Sequence, residues 1–301
     1  MENLRIYMVA VLAVILLAIV AWIRPVEDHG MPIANFWSSK FTNERNFDIV
    51  AAGDSRILHG LSMAPFSELG IGTGHNFGFR GSPANVDYYS NAVKYLGDEG
   101  QRILVLGITP NGFTEYARHS NGYKQKKQEY LGRSPAVPYW IGYAEQALQP
   151  MTIGEVYRTI IGRQNPLQLT YHSDGWIESA HEKPNEDYSL RFFNVHFDNN
   201  LAQPANVAAV CAYIKKCTDE GIRVFALRPP ISESMSAVED KTSGFEYKQF
   251  VKDFSEAGGV WLEVDPEKFG TYDGSHLNAD SAIAFSNWVA SQIQAKIDTE
   301  K

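Results

Sequence analysis

The stretch Phe47-Asp48-Ile49-Val50-Ala51-Ala52-Gly53-Asp54-Ser55-Arg56 (47–56) decides how the rest of the chain is read. Phe47 to Ala52 is a short apolar run without helical period, closed by a glycine, and it reads as a strand buried on both faces. Ser55 to Leu61 then opens a helix. The same alternation recurs downstream. Arg102–Ile108 (RILVLGI), Arg223–Leu227 (RVFAL, closed by Pro229 and Pro230) and Val260–Val264 (VWLEV) read as strands, and His75–Phe79 as a shorter one. Asn85–Leu96, Ala205–Glu220 (stopped by Gly221), Phe245–Ala257 and Ala279–Ile297 have helical spacing. Strands alternating with helices predict an α/β domain with a parallel central sheet covered on both faces.

Two regions fall outside this pattern. Residues 112–205 hold aromatic clusters, loop signals and a basic run at Lys124, Lys126 and Lys127, and they read as a long insertion with some helix around Ile153–Ile161. At the other end, Ile6 to Ile23 carries neither charge nor proline. At about 1.5 Å per helical residue this run approaches the hydrocarbon core of roughly 30 Å. Trp22 is placed as an interface anchor, and no small-x-small cleavage site follows, so a retained span is expected over a cleaved signal peptide. The predicted organisation is a transmembrane anchor at 4–24, a polar connector at 25–45 and the α/β domain at 46–301. The bias of basic residues around the span is slight (Arg5 before it, Arg24 after); the orientation expected is a cytoplasmic N-terminus with the domain outside.

Composition narrows the partners. The 301 residues are 44% hydrophobic, enough for one large core, and the net charge is -8. An acidic surface lacks the clustered positive field that nucleic acid demands. Cys211 and Cys217 lie in one helical segment and point to different sides, so two thiols are expected rather than a disulfide or metal site. No metal constellation and no phosphate-binding loop stand out, and no cofactor is expected.

In doubly wound sheets, sites lie beyond the carboxyl ends of the strands. There the chain places Gly53-Asp54-Ser55-Arg56, then Gly78-Phe79-Arg80-Gly81, then Thr109-Pro110-Asn111-Gly112, and near the end Asp273-Gly274-Ser275-His276. A serine hydroxyl is a weak nucleophile until a base takes its proton. His276 can be that base, with its other ring nitrogen held by Asp273 three residues earlier. The backbone N–H groups of Ser55 and Gly81 and the amide of Asn111 are candidate donors to a tetrahedral oxyanion. Taken singly, Ser55 is equally readable as a helix cap, Asp273 as a turn residue and His276 as a surface histidine.

These four segments, in this order, resemble the blocks of the SGNH (GDSL-like) hydrolase superfamily: GDS with its nucleophile, a glycine, an asparagine, and D-x-x-H. The third block departs from the usual G-x-N-D. The resemblance covers residues 47–280 apart from the insertion. It implies a flavodoxin-like three-layer sandwich, a catalytic triad of Ser55, His276 and Asp273, and an oxyanion hole of Ser55, Gly81 and Asn111. With the anchor, the chain looks like SGNH proteins that act outside the cytoplasm on cell-envelope or exported polysaccharide, as esterases or O-acyltransferases. A multi-pass membrane-bound O-acyltransferase would then be a natural partner. The altered third block keeps open a non-catalytic scaffold of the same fold that presents polymer to a partner.

Other residues are candidates for substrate contact. Arg228, just past a strand, would meet an anionic substrate or else form an ion pair. Tyr139, Trp140, Tyr143 and Trp176 would stack on sugar rings or else pack in a core or lid. Asp54 is expected to point away from Ser55 and serve its loop. His59 and His75 are expected to be structural.

Overall fold

The computed structural model describes residues 5–13, 15, 30–42, 46–130, 157, 161, 167–181 and 185–299. Five strands form the central sheet: β1 (Ile49–Ala52), β2 (Gly74–Asn76), β3 (Ile103–Gly107), β6 (Arg223–Leu227) and β7 (Val260–Trp261). All are parallel, in the order β2-β1-β3-β6-β7. Counting these strands alone, this is the doubly wound order 2-1-3-4-5. Its switch point lies between β1 and β3, where the connections turn to opposite sides.

The sheet holds together because its strands alternate between two cores. Val50, Ala52, Leu104, Leu106, Val224 and Ala226 face one. Ile49, Ala51, Ile103, Val105, Phe225 and Leu227 face the other. Helices α4 (Val86–Val93), α8 (Pro204–Asp219) and α10 (Tyr247–Glu256) cover the first face through Tyr88, Val210, Ile214, Phe250 and Phe254. Helices α2 (Ser55–Gly60), α3 (Ala64–Glu68) and α11 (Ala279–Thr299) cover the second through Ile57, Phe66, Phe285, Val289 and Ile293. Burying such a side chain contributes roughly 1.5–3 kcal/mol each. Cys211 and Cys217 are both free thiols on α8.

The expected strands are present, β6 with the expected bounds and the others shorter. Val260–Val264 pairs only over two residues: Leu262 still donates to Ala226 O at 2.8 Å, and the chain then turns toward Pro266. Helix α9 (Glu233–Thr242) was not anticipated. The larger correction concerns the connector at 25–45. Ile33–Thr42 is a helix, α1, whose Phe36, Trp37 and Lys40 are buried in the domain. Ahead of it, Gly30 forms a parallel bridge with Tyr171 and the Met31 N–H donates to Tyr171 O at 2.9 Å. The folded domain therefore takes in residues 30–42 of the expected connector, because apolar residues at helical spacing had a core to join.

The 112–205 segment is woven in as well. It contains α5 (Glu115–His119), α6 (Gly122–Tyr130), the antiparallel hairpin β4 (Leu167–Tyr171)–β5 (Ile177–His181), and α7 (Glu186–His196). The hairpin turn is sewn to the sheet: Asp174 O accepts from Asn76 N at 2.7 Å, and its carboxylate accepts from Met63 N at 2.7 Å. The expected helix at Ile153–Ile161 lies mostly outside the described residues. Residues 5–13 and 15 of the apolar N-terminal run are helical; the rest of it lies outside the described residues, and among those described no helix is long and apolar enough to cross a membrane.

Candidate active site

Ser55 is the first residue of α2. The cap of that helix is Asp54, whose Oδ1 accepts from the Arg56 N–H at 2.9 Å. Its Oδ2 accepts from the Thr109 hydroxyl at 2.8 Å. Asp54 thus does the capping and ties the first loop to the third, which leaves the Ser55 side chain free for other work. That side chain meets His276: Ser55 Oγ lies 2.8 Å from Nε2. On the far side of the ring, Nδ1 lies 2.8 Å from Asp273 Oδ2. The three expected residues converge with the relay order that nucleophilic activation requires.

The Asp273 carboxylate is fixed from several directions. Oδ1 accepts from the backbone N–H groups of Ser275 (2.9 Å) and His276 (2.7 Å), and Ser189 Oγ donates to Oδ2 at 3.3 Å. Burial pushes its pKa up, but the His276 hydrogen bond and charge and the two backbone donors outweigh it, and hold the group down at about 2. It is an anion at neutral pH. His59 sits edge-on to His276 with ring centroids 5.8 Å apart. Its Nδ1 faces Ile177 O (3.2 Å) and Ser179 Oγ (2.8 Å). Burial first, then the charge of His276, pull it down to about 3, so it stays a neutral structural ring and does not compete for the proton.

The candidate oxyanion donors are positioned by different means. The Ser55 amide is a first-turn donor, without a partner inside its helix. Loop 77–81 is drawn beside it: Phe79 N donates to Gly53 O at 3.2 Å, and the Tyr88 hydroxyl donates to Gly53 O at 2.9 Å. A Cβ on Gly78 would lie 2.5 Å from Leu58 N, so only glycine lets this loop approach α2. Gly81 has φ +58, a left-handed turn that glycine adopts without strain. Among the described residues, neither the Ser55 nor the Gly81 amide has a hydrogen-bond acceptor. Asn111 Oδ1 lies 2.7 Å from His196 Nε2, and the same nitrogen is 2.8 Å from Asn200 Nδ2. Its amide nitrogen has no partner among the described residues.

Two of the residues proposed for substrate contact do other things. Trp176 is 4% exposed, donates its Nε1–H to His59 O at 2.9 Å and stacks on His172. It is a packing residue, since burying an indole requires a partner for its one donor. The Arg228 guanidinium is taken by Glu239 (3.1 Å) and Asp240 (3.0 Å) and lies over the Tyr247 ring. It lines a cavity of about 490 Å³ beyond β6 and β7 that includes no triad residue. Trp140, with Tyr139 and Tyr143, lies outside the described residues.

Some supporting residues carried no signal in the motifs. Lys40 is fully buried; its Nζ donates to Asn76 O (2.7 Å) and Gly78 O (2.9 Å), and it lies near the Phe36, Trp37 and Phe79 rings. Burial holds its pKa well below the usual lysine range, against the charge of Asp174. It fastens the loop that leads to Gly81. Ser189 and His196 both come from α7 in the insertion. Their spacing on one helical face with Phe193 was the available clue. Among the described residues no group of three or more His, Cys, Asp or Glu side chains is placed to hold a metal.

No family model, curated protein or solved structure matches the chain.

Proposed function

We propose that the protein is an SGNH-type serine esterase or O-acyltransferase, anchored in a membrane and acting outside the cytoplasm on an acylated envelope or exported polysaccharide. The observation that carries the reading is the pair of 2.8 Å contacts that join Ser55, His276 and Asp273 from distant parts of the chain. The strand order, that of a flavodoxin-like sandwich, supports it, since the site sits at the carboxyl ends of the strands. Exposed Ile6, Met8, Val9, Val11, Leu12 and Ile15 on the N-terminal helical run support the anchor, because such a face is costly in water.

The chemistry follows from the geometry. Ser55 Oγ attacks the acyl carbonyl while His276 Nε2 takes its proton. The tetrahedral oxyanion is met by the Ser55 and Gly81 amides and the Asn111 side chain. Collapse expels the alcohol, which recovers the proton from His276 and leaves acyl-Ser55. Water or a sugar hydroxyl then attacks, again deprotonated by His276, and Ser55 is regenerated. Asp273 holds the ring and balances the imidazolium charge. A multi-pass O-acyltransferase that delivers acyl groups across the bilayer fits as a partner.

The test is hydrolysis of p-nitrophenyl acetate and labelling by a fluorophosphonate, wild type against Ser55→Ala. Wild type should turn over and take the label, and the variant should do neither. A wild type that takes no label would leave the scaffold reading in its place.

A further inference from the structure

The residue after the nucleophile is an arginine, and it does not reach solvent. Arg56 is 4% exposed, yet it is the residue that spans the two halves of the site. Its Nε donates to Ser275 Oγ at 3.0 Å. Ser275 is itself 2% exposed and lies between Asp273 and His276 in the catalytic loop. Its N–H also holds Asp273 Oδ1. The terminal nitrogen of Arg56 pairs with Glu239 Oε1 at 2.6 Å, and the guanidinium lies under the Phe193 ring, 5.7 Å from its centroid. Glu239 is fully buried on α9, and its second oxygen is held by Arg228.

The arrangement is costly. A guanidinium and a carboxylate have been taken out of water, and Arg56 Nη1 finds no hydrogen-bond partner among the described residues. A hydrophobic pair would fill the same space at least as stably. What the ion pair adds is direction. The planar guanidinium donates along fixed lines, one toward α9 and one toward the loop that carries the base. The nucleophile is covalently the next residue. The serine and the histidine come from segments far apart in the chain, and the sheet alone does not set their separation.

We propose that Arg56 is a positioning residue that joins the serine helix to the Asp273–His276 loop through Ser275, so that nucleophile and base keep their distance as one body. The inference rests on the serine-hydrolase reading of the site. Arg56 touches neither substrate nor the reacting atoms; it acts through Ser275.

The cleanest test removes the link and leaves the buried ion pair intact. Full-length wild type, Ser275→Ala and Ser275→Thr are reacted with a fluorophosphonate in detergent, with thermal unfolding followed alongside. Ser275→Ala should lower the maximal labelling rate by about ten- to hundred-fold, as misplacement of a reacting group by about an ångström does. The half-saturating reagent concentration should stay within about twofold. Ser275→Thr keeps the hydroxyl and should restore most of the rate. Arg56→Lys, which keeps a charge for Glu239 but loses the Nε–H, should fall with Ser275→Ala. A purely structural role would lower the unfolding temperature and leave the rate of the folded protein unchanged. Wild-type rates in Ser275→Ala, with wild type itself labelled, would overturn this inference alone. Failure of wild type to label would overturn it together with the hydrolase reading.

Discussion

His75 should contribute a sensitivity to mild acid that one substitution removes. The ring is fully buried on β2, and among the described residues neither of its nitrogens has a hydrogen-bond partner. It is stacked on Phe47 with centroids 4.9 Å apart and against Tyr95 at 5.4 Å. Burial, with a smaller push from Lys40, takes its pKa from the ordinary 6.5 to about 3. The unfolded chain therefore binds a proton below pH 6.5 that the folded chain refuses until about pH 3. Stability is full above that upper value and declines as pH falls through the window between the two. From pH 7 to pH 5 the loss from this ring alone is about 2 kcal/mol, at 1.36 kcal/mol per unit. That is a sizeable part of a typical folding free energy of about 5–15 kcal/mol. His75→Phe keeps an aromatic ring in the stack and cannot be protonated. Its slightly larger ring brings a pH-independent offset, roughly 1–3 kcal/mol if overpacked. The quantity to measure is thus the difference between pH 7 and pH 5 in urea-unfolding free energy, compared between the two proteins. The variant should lose about 2 kcal/mol less than wild type. Equal losses, or a His75 resonance titrating near 6.5 in the folded protein, would refute the reasoning.

Two further outcomes follow from the site and the chain terminus. Asn111→Ala should slow p-nitrophenyl acetate hydrolysis by about 10², the low end for an oxyanion donor, because two backbone amides remain; a variant at wild-type rate would remove Asn111 from the oxyanion hole. Alkaline phosphatase fused after Lys301 should be active if the domain lies outside the cytoplasm, and an inactive but well-expressed fusion would reverse the proposed orientation.

The parts of this protein that could be read in advance are those governed by local rules. Strands β1, β3 and β6 are unbroken apolar runs closed by glycine or proline, and the triad residues stand just past strand ends or in one tight loop. Gly81 was legible through the resemblance to the family's glycine block, and its left-handed φ of +58 is a physical reason for a glycine there. What could not be read depends on contacts distant in sequence. Lys40 looks like an ordinary connector lysine until Asn76 O and Gly78 O are brought to it. Trp176 has the appearance of a sugar platform, and only the approach of His59 O gives its indole an inward role. Arg228 left substrate contact and ion pair both open, and only α9, unforeseen, supplies the partners Glu239 and Asp240. The insertion looked separate because its elements lack the alternating pattern, yet Ser189 and His196 touch Asp273 and Asn111.

The bridge between Gly30 and Tyr171 has a consequence for reach. It fastens the chain to the domain a few residues after the apolar run ends at Ile23. A fully extended chain between those two points measures no more than about 25 Å, at roughly 3.5 Å per residue. With Ile6–Ile23 seated in a bilayer, as proposed, the domain is moored close to the lipid and cannot patrol the space beyond. Acceptors would have to be delivered to it, as a polymer threaded past the membrane surface is at the moment of its export.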